Sequence, residues 1–388
     1  MDDLPNKIRD VLGIMAEVNL QDTGGLYFIE IITPPYSVPI SLRGSYYYRS
    51  GSTKQELKGN ALMEFLLRKS GKTWDDVVEP RATLADIDEE TVAQYKTDAA
   101  KAGRLPLDEN ALSLADFLNK LRLMENGQLK RAAIVVFGKS PGRFYPNQIF
   151  NIGRLGGTDE DLKFQEVVEG NLLHLLRETV AEFNRKFFVK PIHFEGLQRI
   201  EKDEYPVAAV REVLLNALVH RDYMSSFIQV RIYDDKLWVW NSGKLPENIS
   251  LESLRGVHSS HPRNPLIADV CFKGGYIDSW GRGTLKIINS CLEAGLPEPS
   301  ITEQFGGILV EIFKNRYTLE QLEKLGLRER QIKAVLFVAE NGTITNSQYQ
   351  KLVDVSRNTA SNDLKSLVES GILISSGIRG AGASYILG

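Results

Sequence analysis

Cysteine is nearly absent from this chain of 388 residues: Cys271 and Cys291 are the only two. Two thiols cannot build the disulfide framework that small secreted domains depend on, and they fit a reducing compartment. Long hydrophobic runs are missing too. None approaches the ~20 residues needed to cross a bilayer. The start, Met1-Asp2-Asp3-Leu4-Pro5, is acidic with no apolar stretch behind it, unlike a secretory signal. A cytoplasmic protein with no membrane partner is the expectation. An excess of one charge is also lacking, since 47 Lys and Arg face 50 Asp and Glu for a net charge of −3. The whole molecule is therefore no electrostatic binder of nucleic acid, and DNA contact has to come from a local patch. Internal repeats and low-complexity tracts are absent. What is present is a globular composition, 43% hydrophobic and 25% charged, in a length that suits two or three domains.

Along the chain, residues 1–55 read as a helix and then β structure. A strand over Leu26–Thr33 ends at Pro34-Pro35, and a short one over Ser45–Arg49 leads into Ser50-Gly51-Ser52. Residues 56–125 read as mostly helical, with breaks at Gly71, Pro80 and Pro106. Lys130–Gly138 reads as a buried strand, and the spacing of Leu162, Phe164, Val167, Leu172, Leu173, Leu176 and Val180 suggests one long helix over 160–186. Pro206 is expected to open a helix with Val207, Val210, Leu214 and Leu218 on its apolar side. A hairpin follows, with Ile228, Val230 and Ile232 alternating, a turn at Asp234-Asp235, and a return over Leu237–Trp240. Gly281-Arg282-Gly283 reads as the opening of another amphipathic helix, and Ile308–Phe313 as the strand that closes an α/β sandwich. Glu320–Arg330 reads as a linker.

On the helix that Pro206 opens, Glu212, Asn216 and His220 lie four residues apart. That spacing stacks them on one face at roughly 6 Å per step, opposite the leucines. A carboxylate, a carboxamide and an imidazole in line suit a phosphate–magnesium site, because an Asn oxygen is a hard ligand for Mg²⁺ and a Glu can polarise a water. The competing reading is a solvated polar face. Two later pieces favour the site. Asn241-Ser242-Gly243 ends the next hairpin, where a side chain can accept from an adenine amino group. Gly281-Arg282-Gly283 sits at a helix start, where free backbone N–H groups favour phosphates.

This constellation resembles the GHKL-type ATPase fold shared by gyrase, histidine kinases and MutL. It is similar in particular to a divergent branch described as RecG-like or as transcriptional regulators. The resemblance rests on Arg211-Glu-Val-Leu-Leu-Asn-Ala-Leu-Val-His-Arg-Asp-Tyr223, on Ser260-His-Pro-Arg-Asn-Pro265 and on Trp280-Gly-Arg-Gly-Thr284, and it covers roughly residues 75–315. Carried over by position, it implies Glu212 as the candidate base and Asn216 as the Mg²⁺ ligand. It also implies Asn241 and Gly243 facing adenine, and Gly281, Gly283 and Thr284 facing the phosphates of ATP. His220 completes the set. Two departures weigh on hydrolysis more than on binding: the family's adenine-binding aspartate is Asn241 here, and the second glycine of that box is Leu245. The segment 248–280 would be a lid, with Arg263 reaching phosphate or simply making a surface salt bridge. His258-x-x-His261 with Cys271 lacks a fourth ligand for zinc.

The two ends have their own patterns. From Arg330 the order helix, strand, helix capped by Asn346, third helix capped by Ser356, and glycine-rich hairpin resembles the winged helix-turn-helix of bacterial regulators, with Thr359–Leu364 as the family's Thr-Ala-x-x-Asp-Leu. The resemblance implies DNA as a partner. Arg357, Asn358, Ser361, Asn362 and Lys365 would face the major groove, and Arg379 would reach from the wing. Residues 328–388 hold seven Lys or Arg against five Asp or Glu. So thin a charge leaves open a winged helix used for protein contact or dimerisation. The tail Tyr47-Tyr48-Arg49-Ser50-Gly51-Ser52 resembles the end of an AlbA-like, Schlafen-type domain whose first half is not in this sequence, so a truncated form is the expectation.

The expected fold class is α+β: a partial AlbA-like segment over 1–72, a GHKL-like ATP-binding α/β sandwich over 73–315, and a linker and winged helix over 316–388. The expected function is an ATP-binding, DNA-binding regulator, a dimer, in which nucleotide closes the lid and alters winged-helix or dimer geometry. The alternative is an ATPase subunit of a nucleic-acid-processing or defence complex with Glu212 as catalytic base.

Overall fold

The computed structural model describes the chain apart from residues 1–2, 35, 37, 106–111, 189–191, 196–197, 202, 247–248, 257, 279–280, 315–316, 318, 376–382 and 388. At the N-terminal end, α1 (Leu4–Leu12) precedes two antiparallel hairpins, β1 (Glu17–Thr23) with β2 (Leu26–Ile32) and β3 (Tyr46–Ser50) with β4 (Thr53–Leu57). The sequence pattern pointed to one strand of each. Then come α2 (Gly59–Lys69), α3 (Glu89–Lys101), α4 (Leu114–Lys120), the short hairpin β5 (Met124–Glu125) with β6 (Gln128–Leu129), and α5 (Arg131–Phe137).

The middle of the chain builds one six-stranded mixed sheet. Its strands are β7 (Ile149–Leu155), β8 (Leu162–Glu169), β11 (Ile228–Ile232), β12 (Lys236–Ser242), β13 (Ser300–Gln304) and β14 (Gly307–Phe313), in the order β13-β14-β12-β11-β7-β8. The β11–β7 pair is parallel and the others are antiparallel. Between them lie α6 (Leu172–Glu182), the small hairpin β9 (Ile192–Glu195) with β10 (Gln198–Glu201), α7 (Val207–His220), α8 (Pro265–Lys273) and α9 (Gly283–Glu293). Strand alternation sorts the sheet into two faces. Ile228, Val230, Ile232, Leu237 and Val239 join the main core beneath α6 and α7, whereas Trp238, Trp240, Tyr233 and Leu309 form a separate cluster on the other face.

The remaining elements are α10 (Leu319–Lys324), α11 (Glu329–Asn341), β15 (Ile344–Thr345), α12 (Asn346–Val353), α13 (Arg357–Glu369), β16 (Leu373–Ser375) and β17 (Ser384–Leu387). The last three strands form a sheet in the order β15-β17-β16. This part has its own core, with Val335, Ile344, Tyr349, Leu364 and Leu367 fully buried or nearly so. Mixed helix and sheet segments with a six-stranded mixed sheet make the architecture α+β. Among the described residues no helix is long and apolar enough to cross a membrane.

Several local readings change. Lys130–Gly138 is not a strand: Arg131–Phe137 is a helix, and its residues from Ala132 to Phe137 are all completely buried. A helix enclosed on every side has no polar face, so its sequence carries no 3.6-residue period to distinguish it from a buried strand. The expected long helix over 160–186 is strand β8 followed by α6. The break is Gly170, at φ +141°, and Asn171, whose side chain accepts from the His174 N–H at 2.9 Å and caps α6. The expected linker over 320–330 holds most of α10 and the start of α11. Thr345, not Asn346, caps α12, with Gln348 returning the bond to the Thr345 N–H.

Candidate functional site

The C-terminal end of α7 is anchored by a loop. Asn264, buried, donates its Nδ2 to the carbonyls of Val219 (2.8 Å) and Arg221 (2.9 Å), taking up acceptors that a helix end leaves open. Asp75 does the reciprocal service for α8: its Oδ2 accepts from the N–H groups of Leu266 (2.8 Å) and Ile267 (3.0 Å). Beside it, Trp74 stacks on Tyr223 with centroids 4.9 Å apart. These contacts hold α7, α8 and the segment before α3 around one cavity of about 1200 Å³. That is somewhat above the roughly 300–1,000 Å³ of common ligand pockets, and there is room for a nucleoside triphosphate.

The cavity has an apolar rear and a charged front. Val239, Ile301, Ile308 and Val310 line the rear on the sheet. Asn241, buried, stands among them, and its Nδ2 donates to the Ser242 carbonyl at 3.1 Å, so its Oδ1 is the atom left to accept. Glu212, Asn216 and His220 from α7 all line the cavity. The four-residue spacing therefore delivers one face to one space. Glu212 is buried, and burial raises its carboxyl above the ordinary range against the opposing pull of Lys286 and Arg211. Burial, Arg263 and His258 push His220 down to about 4, so it is neutral at pH 7.

The two glycines of the Gly281-Arg282-Gly283 turn face different neighbours. Gly281 has φ +61°, and a side chain there would run into the His258 carbonyl. Gly283 opens α9 directly against α7: a Cβ would lie 2.6 Å from Glu212 Oε1 and 3.4 Å from Asn216 Nδ2. Thr284 donates its hydroxyl to the Leu254 carbonyl at 2.7 Å, which ties this turn to the 248–280 segment. Gly243, at φ +112°, leaves room for Arg263, whose Nε would be 3.1 Å from a Cβ there. Arg263 in turn donates to Glu64 Oε1 and to the Lys244 carbonyl, each at 3.1 Å.

The segment 248–280 is not one lid. Its second half, α8, buries Leu266, Ile267, Val270 and Cys271 in the main core, and a helix fastened that way cannot swing as a loop does. Lys286, Arg282, Asp278 and Glu64 also line the cavity and were not singled out from the sequence. Lys286 carried a signal, standing one turn after Gly283 on the same helix. Glu64 carried none. Among the described residues no three His, Cys, Asp or Glu side chains gather as a metal site. The residues nevertheless suit Mg²⁺ arriving with a nucleotide, since that ion keeps waters and phosphate oxygens and needs only one or two protein oxygens, here that of Asn216.

At the other candidate site, Arg357, Asn358, Ser361, Asn362 and Lys365 are all exposed on α13. The opposite face is fastened by buried Asp363, which accepts from Tyr349 Oη at 2.9 Å and pairs with Arg330. Ser361 accepts from Asn346 at 2.9 Å, and Lys365 stands 3.6 Å from Glu369. Arg379 lies outside the described residues.

Comparison with known proteins bears on the middle of the chain. Residues 225–313 match the family model described as "Putative ATP-dependent DNA helicase recG C-terminal". This stretch is similar to a RecG-type ATPase domain. It contains Asn241, Gly243, Arg263, Gly281, Gly283 and Thr284, while α7 with Glu212 and Asn216 precedes it. An ATPase-like domain is consistent with nucleotide binding. Residues 64–147 match a domain of unknown function, DUF8451. Among solved structures, the DIP2311 protein from Corynebacterium diphtheriae is similar at a TM-score of 0.51 and 21% identity, over 100% of this chain and 79% of that one. At that identity the likeness concerns the fold alone. No curated protein matches the chain.

Proposed function

We propose that this protein is an ATP-binding regulator that contacts DNA through a winged helix formed by α11–α13 and β15–β17. The observation that carries the reading is the meeting of α7 and α9. Gly283 brings a helix N-terminus, whose first N–H groups have no partner within the helix, against Glu212 and Asn216 in a cavity whose apolar rear holds the acceptor of Asn241. Asn241 would accept from the adenine amino group, Gly281, Gly283 and Thr284 would face the phosphates, and Asn216 would hold Mg²⁺. The metal would supply charge neutralisation at the phosphates.

The exposed row Arg357, Asn358, Ser361, Asn362 and Lys365 supports the DNA reading, with Arg379 as a further candidate. In this reading nucleotide alters the loop carrying His258 and Arg263 and, through it, winged-helix or dimer geometry. The buried carboxylate of Glu212 beside Asn216 favours a second reading, an ATPase of a nucleic-acid-processing complex in which Glu212 is the base.

Calorimetry with ATP and Mg²⁺ on wild type and Asn216→Ala, with phosphate release followed on the same samples, tests both readings. Binding that weakens in the variant without phosphate release supports the regulator. Steady release lost in Glu212→Ala supports the enzyme, and absence of binding overturns both. DNA footprinting with and without ATP then tests the winged helix.

A further inference from the structure

Lys286 lines the cavity beside Glu212. It stands in the first turn of α9, three residues after Gly283, with Nζ 3.6 Å from Glu212 Oε2. The lysine side chain is 45% exposed and the Glu212 side chain 8%. One partner of this pair is therefore fixed and the other is at the end of a flexible stem. The other charges that reach Glu212 are committed elsewhere: Arg211 donates to the Tyr276 carbonyl at 2.8 Å, and Asp278 pairs with Arg104 at 3.1 Å.

Resting on the nucleotide reading of the cavity, we propose that Lys286 is a phosphate-recruited cation, paired with Glu212 in the empty site and transferred to the phosphate chain when a nucleoside polyphosphate binds. At 3.6 Å the pair is longer than the roughly 2.7–2.9 Å of a charge-assisted hydrogen bond, so little direct bonding is lost on release. A lysine is a compact point charge on a stem of four carbons, suited to swinging between two anions. A polyphosphate also carries more negative charge than one carboxylate, so it outcompetes Glu212 for the cation. Glu212 then acts on binding through the lysine, which it restrains until the phosphates arrive.

Removal of the Glu212 charge with its shape retained is thus expected to strengthen binding through Lys286. Calorimetry in Mg²⁺ with ATP and with adenosine would compare wild type, Lys286→Met, Lys286→Arg, Glu212→Gln and the Glu212→Gln/Lys286→Met pair. Lys286→Met should weaken ATP by about tenfold or more while adenosine changes less than about twofold, and Lys286→Arg should retain most of the ATP affinity. Glu212→Gln should tighten ATP several-fold, and that gain should vanish in the double variant. Equal weakening of ATP and adenosine in Lys286→Met, or a Glu212→Gln gain that persists without the lysine, would overturn the inference. Wild type that binds neither ligand would overturn the nucleotide reading itself, whereas ATP binding indifferent to Lys286→Met would overturn only the role given to the lysine.

Discussion

Gly283 sits so close to Glu212 that a single added carbon would stand 2.6 Å from the carboxylate oxygen. The first turn of α9 meets the buried Glu212 carboxylate here, and a side chain at this position would take the place the carboxylate occupies. Gly283→Ala should displace the Glu212 carboxylate from its place against α9. Nucleotide affinity should fall by about tenfold or more, with a smaller effect on folding, since the neighbouring core residues are untouched. Parallel calorimetry and thermal unfolding would separate the two effects.

Two groups on α7 give the stability opposite dependences on pH. His220 has its folded value lowered to about 4 from an ordinary 6.5, so between those values the unfolded chain binds the extra proton. The stability it contributes is present above about 6.5 and is lost as pH falls toward 4. Glu212 is shifted the other way, raised by burial, so its contribution is full below its ordinary value of 4.5 and is lost as pH rises through the folded value. His220→Gln should flatten the decline between pH 6.5 and 4. Glu212→Gln should be more stable than wild type at pH 8, with the difference shrinking in acid. Urea titrations at pH 4, 6 and 8 would check both.

Asp75 is a fully buried carboxylate that takes the first two N–H groups of a helix 190 residues further along the chain. Asp75→Ala would leave those donors buried and unmet at a cost of about 1–3 kcal/mol each. The expected outcome is a clear loss of stability by urea unfolding, larger than for any exposed carboxylate. A change of less than about 0.5 kcal/mol would show that water replaces the side chain.

The Arg263–Glu64 pair joins α2 to the loop at the cavity mouth, with both side chains partly exposed. Such a pair is worth about 0.2–1 kcal/mol. Glu64→Ala should leave the melting temperature within a few degrees and increase hydrogen exchange in α2 selectively. Uniform exchange across the chain would count against a local tether.

For the DNA reading, Arg357→Ala and Lys365→Ala should each weaken binding and reduce its salt dependence, because each removes one positive charge from the exposed face of α13. Fluorescence anisotropy at several salt concentrations would measure the slope. An unchanged slope would assign that face to another partner.

Much of the site was legible in the sequence because its periods are local. Four-residue spacing put Glu212, Asn216 and His220 on one side of α7 whatever lay around it, alternation put Asn241 and Trp240 on opposite faces of β12, and Ser356 announced the start of α13 through its own backbone bond. Where a segment is enclosed or interrupted, the local signal fails. The helix Arg131–Phe137, completely buried from Ala132 on, shows no polar stripe, and Gly170-Asn171 divides an apolar run into a strand and a helix. Only the tertiary structure decided that Lys286 meets Glu212, that Arg263 is shared with Glu64, and that Asp75 closes α8. Each of these depends on how two distant elements pack, and that is set by the volume and shape of the core between them rather than by any spacing along the chain.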